Sequence, residues 1–387
     1  MRLRLISNGM KIILTGGGGS GGHFYPLIAV ARALKKEAES ERIAKLDLFF
    51  VSDDAYDADV LLKENIKFIK IPAGKMRRYF SLKYLPDTIK TIIGLFLAFW
   101  RLYILFPDVI FSKGGYASFP ILFSAKILGI PVVIHDSDAV PGFVNKWAGK
   151  WAKRVAIAFA EAAQYFPGKN IAVTGNPVRP QVIGGNLEEA IEYFKLEEDP
   201  QPAPVILILG GSQGAEKINE IVLSFLVDAI KTYQIIHQTG ESNFKDVNGR
   251  ADLLLEKNQF KYRYHPYSFL NEGELRNASK AAQLVVSRAG AGSIFEIAAW
   301  GVPAILIPLA SAAQNHQREN AYSYARAGAC EVVEETNLKP HILLAQIDKI
   351  LGDESRKKQM RLASQNFARL DAADKIAKEV IKLGIHE

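Results

Sequence analysis

The chain is poor in cysteine, and several patterns that would identify common classes of protein are missing from it. One cysteine, Cys330, occurs among its 387 residues, which excludes an internal disulfide and a cysteine-based metal site. The apolar pieces near the N-terminus are too short for a cleavable signal. We therefore expect a protein of a reducing compartment that stays in the cytoplasm.

Signatures of nucleic-acid binding are also missing. The sequence has no zinc finger, no RNA-binding aromatic signature and no long block of Lys and Arg, so we predict no nucleic-acid partner. The net charge is nevertheless +7. An anionic substrate or an anionic membrane surface is the favoured explanation of that charge.

What the chain does contain is a regular alternation of short apolar strands and helices. This order is typical of parallel sheets that are covered by helices on both faces. The predicted strands lie in the segments 11–15, 46–52, 108–115, 130–136, 154–159, 204–209, 233–240, 282–292 and 303–310.

One pattern occurs twice. A strand, a glycine loop and a helix at 11–37 return at 204–222, and the segment 173–186 between the halves is rich in Gly, Pro and Asn, as a hinge would be. We predict an α/β protein with two doubly wound parallel-sheet domains, residues 1–178 and 179–365, that face a shared cleft.

Each glycine loop exposes backbone N–H groups at a helix N-terminus, where a phosphate is favoured. His23, at the exit of the first loop, can act as a base or as a hydrogen-bond donor, or it can cap a structural turn. In the second loop, Ser212 and Gln213 can bind a diphosphate, or the loop is an ordinary strand–helix turn.

Acidic residues follow a predicted strand in the segment IHDSDAVPG. Asp136 or Asp138 can take the proton of an attacking hydroxyl or hold a sugar hydroxyl, although Asp and Ser are also common turn formers before Pro-Gly. In SRAGAGSIFEIAAWG, Ser293 is the expected helix start and Glu296 then falls in the first turn. Arg288 is either a ligand of the substrate or a structural ion-pair partner.

The segment 88–106 is almost wholly apolar. Its uncharged run of ten residues, 91–100, is shorter than the roughly 18–20 residues that span a bilayer. It is either a core helix under the sheet or a helix in the headgroup layer of a membrane. The second interpretation is supported by five nearby cations, which are Lys75, Arg77, Arg78, Lys83 and Lys90.

Eight segments of the sequence occur in the same order as in one known family. The chain resembles the GT-B glycosyltransferases, and among them the MurG family, which transfers GlcNAc from UDP-GlcNAc to lipid I. The segments are GGGGSGGHFYPLIAVARAL, KGGYASFP, GIPVVIHDSDAVPGFVNKWAGKWA, VTGNPVR, GGSQGAEKIN, HQTG, SRAGAGSIFEIAAWGVPAILIP and NHQRENA.

The resemblance implies two Rossmann-like domains, with a C-terminal helix within 366–387 packing back on the first. It implies an inverting, metal-independent reaction that needs no cofactor and makes lipid II for peptidoglycan synthesis. The implied partners are UDP-GlcNAc, a polyprenyl-pyrophosphate-linked muramoyl-pentapeptide and the cytoplasmic face of the membrane.

The resemblance also assigns roles to single residues. The segment Ser20, Gly21, Gly22 and His23 would face donor sugar and acceptor, and Asp138 would lie at the donor. Arg179 would clamp a phosphate or the hinge. His23 and Asp136 both remain candidates for the base. The donor would further contact Ser212, Gln213, Leu270 (at uracil), Ala291, Gly292, Ser293, Glu296 (at the ribose) and Gln317 (at the sugar).

Two departures from the family pattern bear on the substrate. The first loop carries an extra glycine, and the usual His-Glu-x-Asn is replaced by His135-Asp136-Ser137-Asp138. Another lipid glycosyltransferase that uses a UDP-sugar, such as a diacylglycerol glucosyltransferase, is therefore an alternative. An inactive sugar-nucleotide-binding protein is the alternative from a different class.

Overall fold

The computed structural model describes residues 9–17, 21–75, 84–168, 170–198, 201–210, 214–310, 312 and 315–386. The chain divides into two compact units, one of residues 1–178 with 369–387 and one of residues 179–368. In the described residues each unit is built on a single parallel sheet, so the prediction of two doubly wound parallel-sheet domains is confirmed.

The first unit holds a sheet of seven strands: β1 (Met10–Thr15), β2 (Leu46–Ser52), β3 (Lys67–Lys70), β4 (Val109–Ser112), β5 (Val132–Asp136), β6 (Arg154–Ile157) and β7 (Ile171–Val173). Their order across the sheet is β3-β2-β1-β4-β5-β6-β7. Because the order reverses between β1 and β4, the segments that follow these two strands lie side by side. That position is where open α/β sheets bind ligands.

Helices cover both faces of this sheet, because the side chains of a strand point alternately to opposite sides. Ile12 and Leu14 of β1 belong to one buried cluster and Ile13 belongs to the other. The helices of this part of the chain are α1 (Gly21–Ser40), α2 (Ala58–Lys63), α3 (Tyr84–Leu105), α4 (Phe119–Leu128) and α5 (Phe143–Gly149).

Helix α3 is only partly a core helix. Ala98 and Leu102 pack into the sheet, whereas Ile92, Phe96 and Ile104 are 60%, 65% and 75% exposed. Among the described residues, Leu85–Leu105 is the one helix that is long and apolar enough to cross a membrane by length and composition. The sequence-based estimate counted only the uncharged run and so took this segment to be shorter than a span.

The second unit holds six parallel strands: β8 (Val205–Leu209), β9 (Gln234–Gln238), β10 (Tyr264–Tyr267), β11 (Leu284–Ser287), β12 (Ala304–Leu306) and β13 (Cys330–Val332). Their order, β10-β9-β8-β11-β12-β13, again reverses next to the strand that precedes the glycine loop. The helices are α6 (Leu187–Phe194), α7 (Glu216–Ala229), α8 (Phe244–Leu254), α9 (Glu272–Ala281), α10 (Ala291–Trp300), α11 (His316–Arg326), α12 (Pro340–Leu351) and α13 (Glu354–Phe367).

The last helix, α14 (Ala372–His386), belongs to the first unit. Ile376, Ala377 and Val380 lie in the same buried cluster as residues of α1 and β1. Residues 366 and 367 end α13 instead, so the segment that returns to the first unit begins a few residues later than position 366.

Candidate active site

Two glycine turns meet at the carboxyl ends of β1 and β4. Gly17 has φ +153° and Gly115 has φ +84°, and a Cβ at Gly115 would lie 2.1 Å from the carbonyl oxygen of Gly17. No side chain fits between backbones this close, so the packing itself requires glycine. Ser20 lies outside the described residues.

His23 is the third residue of α1, whose described part begins at Gly21. Its side chain is half-buried, and the neighbouring Gly22 is exposed. His23 lies near enough to His135 that its charge contributes to lowering the pKa of His135. The structure thus brings His23 into the same electrostatic environment as His135, near the carboxyl end of β5.

Asp136, the last residue of β5, is 4% exposed and accepts hydrogen bonds from three donors. Its Oδ1 accepts from the backbone N–H of Asp138 at 3.0 Å, and its Oδ2 accepts from the N–H of Gly142 at 3.2 Å and from Nδ2 of Asn145 at 2.8 Å. These bonds close the turn and hold it against the start of α5. Asp136 therefore has a clear structural role in this turn.

The pKa of Asp136 is raised to about 6, first by burial and then by the negative charge of Asp138, while the hydrogen bond from Asn145 acts in the opposite direction. The Asp138 side chain is only half-buried. The Asp136 carboxylate is buried and hydrogen-bonded within the fold. Asp136 and Asp138 therefore do not form an exposed pair of carboxylates, one residue apart, of the kind that binds a cation. No cluster of three or more His, Cys, Asp or Glu suited to a metal occurs in the described ranges.

A residue that the sequence interpretation left without a role, Lys113, lies beneath this turn. It follows β4, is 1% exposed, and its Nζ is 2.7 Å from Nδ1 of His135. The same ammonium donates to Oγ of Ser137 at 2.5 Å and to Oδ1 of Asn176 at 2.9 Å. The signal in the sequence was a lysine at the end of an apolar strand segment, directly before Gly-Gly, because a lysine that is buried there requires partners for its charge.

In the second unit, Arg179 forms ion pairs with two glutamates. Its Nη2 lies 2.8 Å from Oε1 of Glu296, and its Nη1 lies 3.3 Å from Oε1 of Glu272. Of the two roles predicted for Arg179, a phosphate clamp or part of the hinge, neither included Glu296. Its position beside Glu296 identifies it as a residue that orients this carboxylate.

Helix α10 begins earlier than predicted, so the assignment of Ser293 as the helix start is wrong. Gly290 is the N-cap, with extended φ −66° and ψ 141°, and its carbonyl accepts from the N–H of Ile294 at 3.0 Å. Ala291, Gly292 and Ser293 are then the first helical residues, and Glu296 lies in the second turn. A Cβ at Gly290 or Gly292 would meet nothing within 4 Å, so the N–H groups of this terminus can be approached closely.

Two more predicted residues are held by backbone contacts. Gln317, in the first turn of α11, accepts a hydrogen bond on Oε1 from the N–H of Leu309 at 3.0 Å, which leaves its amide N–H₂ as the group suited to a sugar hydroxyl. Leu270 is 2% exposed, and its own N–H donates to Oε1 of Gln238 at 3.2 Å. Ser212 and Gln213 lie outside the described residues.

Arg288 is a structural ion-pair partner. Its Nη2 lies 2.8 Å from Oε1 of Glu335, whose Oε2 accepts from the N–H of Ala310 at 3.1 Å. Burial alone would raise the pKa of Glu335, but the bonds from Arg288 and Ala310 outweigh it and the pKa is lowered. The pair fixes the segment after β12, and no pattern in the sequence indicates Glu335 as the partner of Arg288.

Comparison with known proteins adds to this geometry. The glycosyltransferase family 28 N-terminal domain matches residues 12–157, and the C-terminal domain of the same family matches residues 205–376. The solved structure of MurG from Acinetobacter baumannii superposes with a TM-score of 0.73 at 23% identity, covering 96% of this chain and 99% of that one. At this identity the likeness supports the fold alone.

Curated relatives are more similar in sequence. UDP-N-acetylglucosamine–N-acetylmuramyl-(pentapeptide) pyrophosphoryl-undecaprenol N-acetylglucosamine transferase 3 of Bacillus thuringiensis is 35% identical over 88% of this chain and 92% of its own length. The corresponding transferase of Desulforamulus reducens is 33% identical over 97% of this chain and 99% of its own length. The chain therefore belongs to glycosyltransferase family 28, in the group of N-acetylglucosamine transferases that includes these bacterial relatives.

Proposed function

We propose that this chain transfers GlcNAc from UDP-GlcNAc to lipid I, the polyprenyl-pyrophosphate-linked muramoyl-pentapeptide, and so forms lipid II for peptidoglycan synthesis. The observation that carries the proposal is the likeness to transferases of that name over nearly the whole length of both chains. This likeness favours lipid I over the alternatives of another UDP-sugar lipid transferase and an inactive binding protein.

In the proposed reaction, a hydroxyl oxygen of the muramoyl sugar attacks the anomeric carbon of GlcNAc as the bond from that carbon to the UDP oxygen breaks. The hydroxyl proton passes to His23, UDP leaves, and the configuration at the anomeric carbon is inverted. We assign the base to His23 rather than Asp136, because the carboxylate of Asp136 is buried and already accepts three hydrogen bonds.

The donor is proposed to bind the second unit. The open N-terminus of α10, at Ala291, Gly292 and Ser293, would receive the diphosphate, and Glu296 would hold the ribose hydroxyls. Gln317 would donate to the sugar. The roles of Ser212, Gln213 and Leu270 at the nucleotide stay predictions from the family resemblance.

The same helix N-terminus supports a reaction without metal or cofactor, which also stays a prediction. Preorganised N–H groups can stabilise the charge that develops on the leaving diphosphate, a task that a bound cation performs in other transferases. Omission of divalent cations and addition of a chelator should then leave the rate of UDP release unchanged.

For the acceptor, we propose peripheral attachment to the cytoplasmic face of the membrane through α3. This helix exposes large apolar side chains along most of its length, and Lys90 and Arg101 are exposed on it. An apolar face flanked by cations suits the headgroup layer of an anionic bilayer. Arg77, Arg78 and Lys83 lie outside the described residues.

The experiment that tests the function measures UDP release by the purified chain with either UDP-GlcNAc or UDP-glucose as donor and either a short-chain lipid I analogue or diacylglycerol as acceptor. Release that requires both the analogue and UDP-GlcNAc, together with formation of the disaccharide product, is the expected result. Equal use of UDP-glucose with diacylglycerol would favour the glucosyltransferase, and UDP-GlcNAc binding without release would favour the binding protein.

A further inference from the structure

We propose that Lys113 is a positioning residue, whose buried ammonium group ties the turn after β5 to two other segments and offsets the two carboxylates, Asp136 and Asp138, that this turn carries. The role of Lys113 in holding the turn is inferred from the structure of the first unit alone. Its consequence for turnover rests on the proposed function.

The hydrogen bonds of Lys113 account for all three protons of an ammonium group. Nε2 of His135 lies 2.9 Å from the carbonyl oxygen of Gly175, so this nitrogen carries the proton and Nδ1 accepts from Lys113. Oγ of Ser137 accepts from Lys113 and donates to Oδ1 of Asn176 at 3.0 Å. A neutral amine has only two protons, so the acceptors around Lys113 match its charged form.

These bonds join segments that are far apart in sequence. Lys113 lies 22 residues before His135, 24 before Ser137 and 63 before Asn176. Its backbone N–H also donates to the carbonyl of Thr15 at 2.8 Å, beside the first glycine turn. One side chain thus sets the mutual position of the ends of β4 and β5 and the segment that follows β7.

The charges near Lys113 explain why a cation is needed there. Asp136 and Asp138 both raise the pKa of Lys113 from a distance, against the larger effect of burial, which lowers it to about 7. Asp138 raises the pKa of Asp136 and Lys113 lowers it. The other titratable groups close to this set are His135 and His23; burial and Lys113 depress the pKa of His135, which therefore stays neutral.

A direct role for Lys113 on substrate does not fit this geometry. The side chain is 1% exposed and its three protons are donated to protein acceptors. Contact with a substrate would require at least one of these bonds to break. Lys113 therefore acts through the residues that it holds.

The test compares four variants: Lys113→Gln, Lys113→Met, Asp138→Asn and the double variant Lys113→Gln with Asp138→Asn. Gln removes the charge but retains two N–H donors. If the Met variant does not fold, the Gln variant still tests the effect of the charge. Lys63→Met, at an exposed lysine in the same unit, is the matched control. The readout is the titration of the Asp136 carboxyl, followed by carbon NMR with Asp136→Asn as the assignment reference.

Loss of the cation should raise the pKa of Asp136 in both Lys113 variants, and loss of the Asp138 charge should lower it. The double variant should have a lower pKa at Asp136 than Lys113→Gln alone, because Asp138 raises this pKa more than Lys113 lowers it. An Asp136 titration that is the same with Lys113 and with Gln at this position would overturn the proposal.

Turnover provides the second readout. The Lys113→Gln variant should lose about tenfold or more in kcat for UDP release, with a smaller change in the KM for UDP-GlcNAc, because the turn is displaced while the donor-binding residues of the second unit are intact. Asp138→Asn should recover part of that loss. If the NMR shifts occur but the unchanged chain releases no UDP, the proposed function fails and the role of Lys113 in the turn is retained.

Discussion

The guanidinium group of Arg179 donates two hydrogen bonds to a single oxygen of Glu296. Nε and Nη2 of Arg179 lie 3.1 and 2.8 Å from Oε1, and the two side chains are only 15% and 18% exposed. Oε2 is the oxygen of Glu296 that this pair does not use. The arginine thus fixes the orientation in which Glu296 would meet the two hydroxyls of a ribose.

Arg179→Lys should weaken UDP binding by about 1–2 kcal/mol, because lysine retains the charge but cannot hold Glu296 with a planar fork. Calorimetry on the single variants and on the pair with Glu296→Ala should show that the two losses are not additive. Arg250→Lys is the control, since Arg250 pairs with Glu220 and Asp246 on the exposed surface of the same unit. Additive losses would show that Arg179 acts on UDP independently of Glu296.

Glu296→Ala and His23→Ala should fail in different ways. Glu296→Ala should weaken the binding of UDP by about 1–3 kcal/mol, because it leaves polar groups of the ligand unpaired. The second should lower kcat and leave UDP affinity nearly unchanged, since His23 is proposed to act only at the reacting end. Binding and steady-state kinetics on both variants measure this, and the reverse pattern would refute the two assignments.

Asp138→Asn should be tolerated and should leave UDP-GlcNAc the strongly preferred donor. Removing the charge lowers repulsion of a diphosphate, and a site that hydrogen-bonds the acetamido group rejects the sugar that lacks it. Competition between UDP-GlcNAc and UDP-glucose measures the preference. Equal use of both donors, or loss of activity in the variant, would instead indicate that the Asp136-Ser137-Asp138 segment marks a changed specificity.

Phe96→Ser combined with Ile104→Ser should weaken binding to anionic vesicles by roughly tenfold or more, because two large exposed side chains no longer enter the headgroup layer. Leu253→Ser with Leu254→Ser, on the exposed end of α8, is the matched control. Sedimentation at low and high salt should show that salt weakens binding. Equal binding to neutral and anionic vesicles under both conditions would leave α3 as a helix that only covers the sheet.

The raised pKa of Asp136 predicts a pH-dependent contribution to stability. With a pKa of about 6 in the fold, against roughly 3.9 in an unfolded chain, the native state binds the extra proton between these values. The unfolding free energy relative to Asp136→Asn should therefore rise as pH falls from 7 to 4.5, by at most about 2–3 kcal/mol. Denaturant unfolding at several pH values measures the difference, and a flat profile would contradict the pKa.

The interior strands of both sheets can be predicted from the amino-acid sequence alone. Buried parallel strands read as continuous apolar runs, and the runs that predicted strands correspond to β1, β2, β4, β5 and β6 of the first sheet and to β8, β9, β11 and β12 of the second. The glycine loops after β1 and β8 predicted a ligand-binding edge for each sheet. In both sheets the strand order reverses next to that strand, which is where open α/β sheets bind ligands.

The four edge strands β3, β7, β10 and β13 were not predicted. An edge strand has one neighbour and is partly exposed, so it needs no continuous apolar run: Lys67–Lys70 and Ile171–Val173 contain no buried residue. These segments become strands because they hydrogen-bond to the one strand beside them. Only the assembled sheet shows that these short polar or mixed segments belong to it.

The contacts that orient the candidate site depend on how the folded chain packs and cannot be predicted from the sequence. Arg179 and Glu296 are 117 residues apart, and Lys113 and Asn176 are 63 apart, so neither pair leaves a pattern of local spacing. The sequence does indicate which residues are candidates for the site, because glycine or Asp directly after an apolar strand segment is a local pattern. Which cationic side chain pairs with which acceptor depends on the order of the strands across the sheet. Burial then requires the pairing, because an unpaired buried charge destabilises the fold.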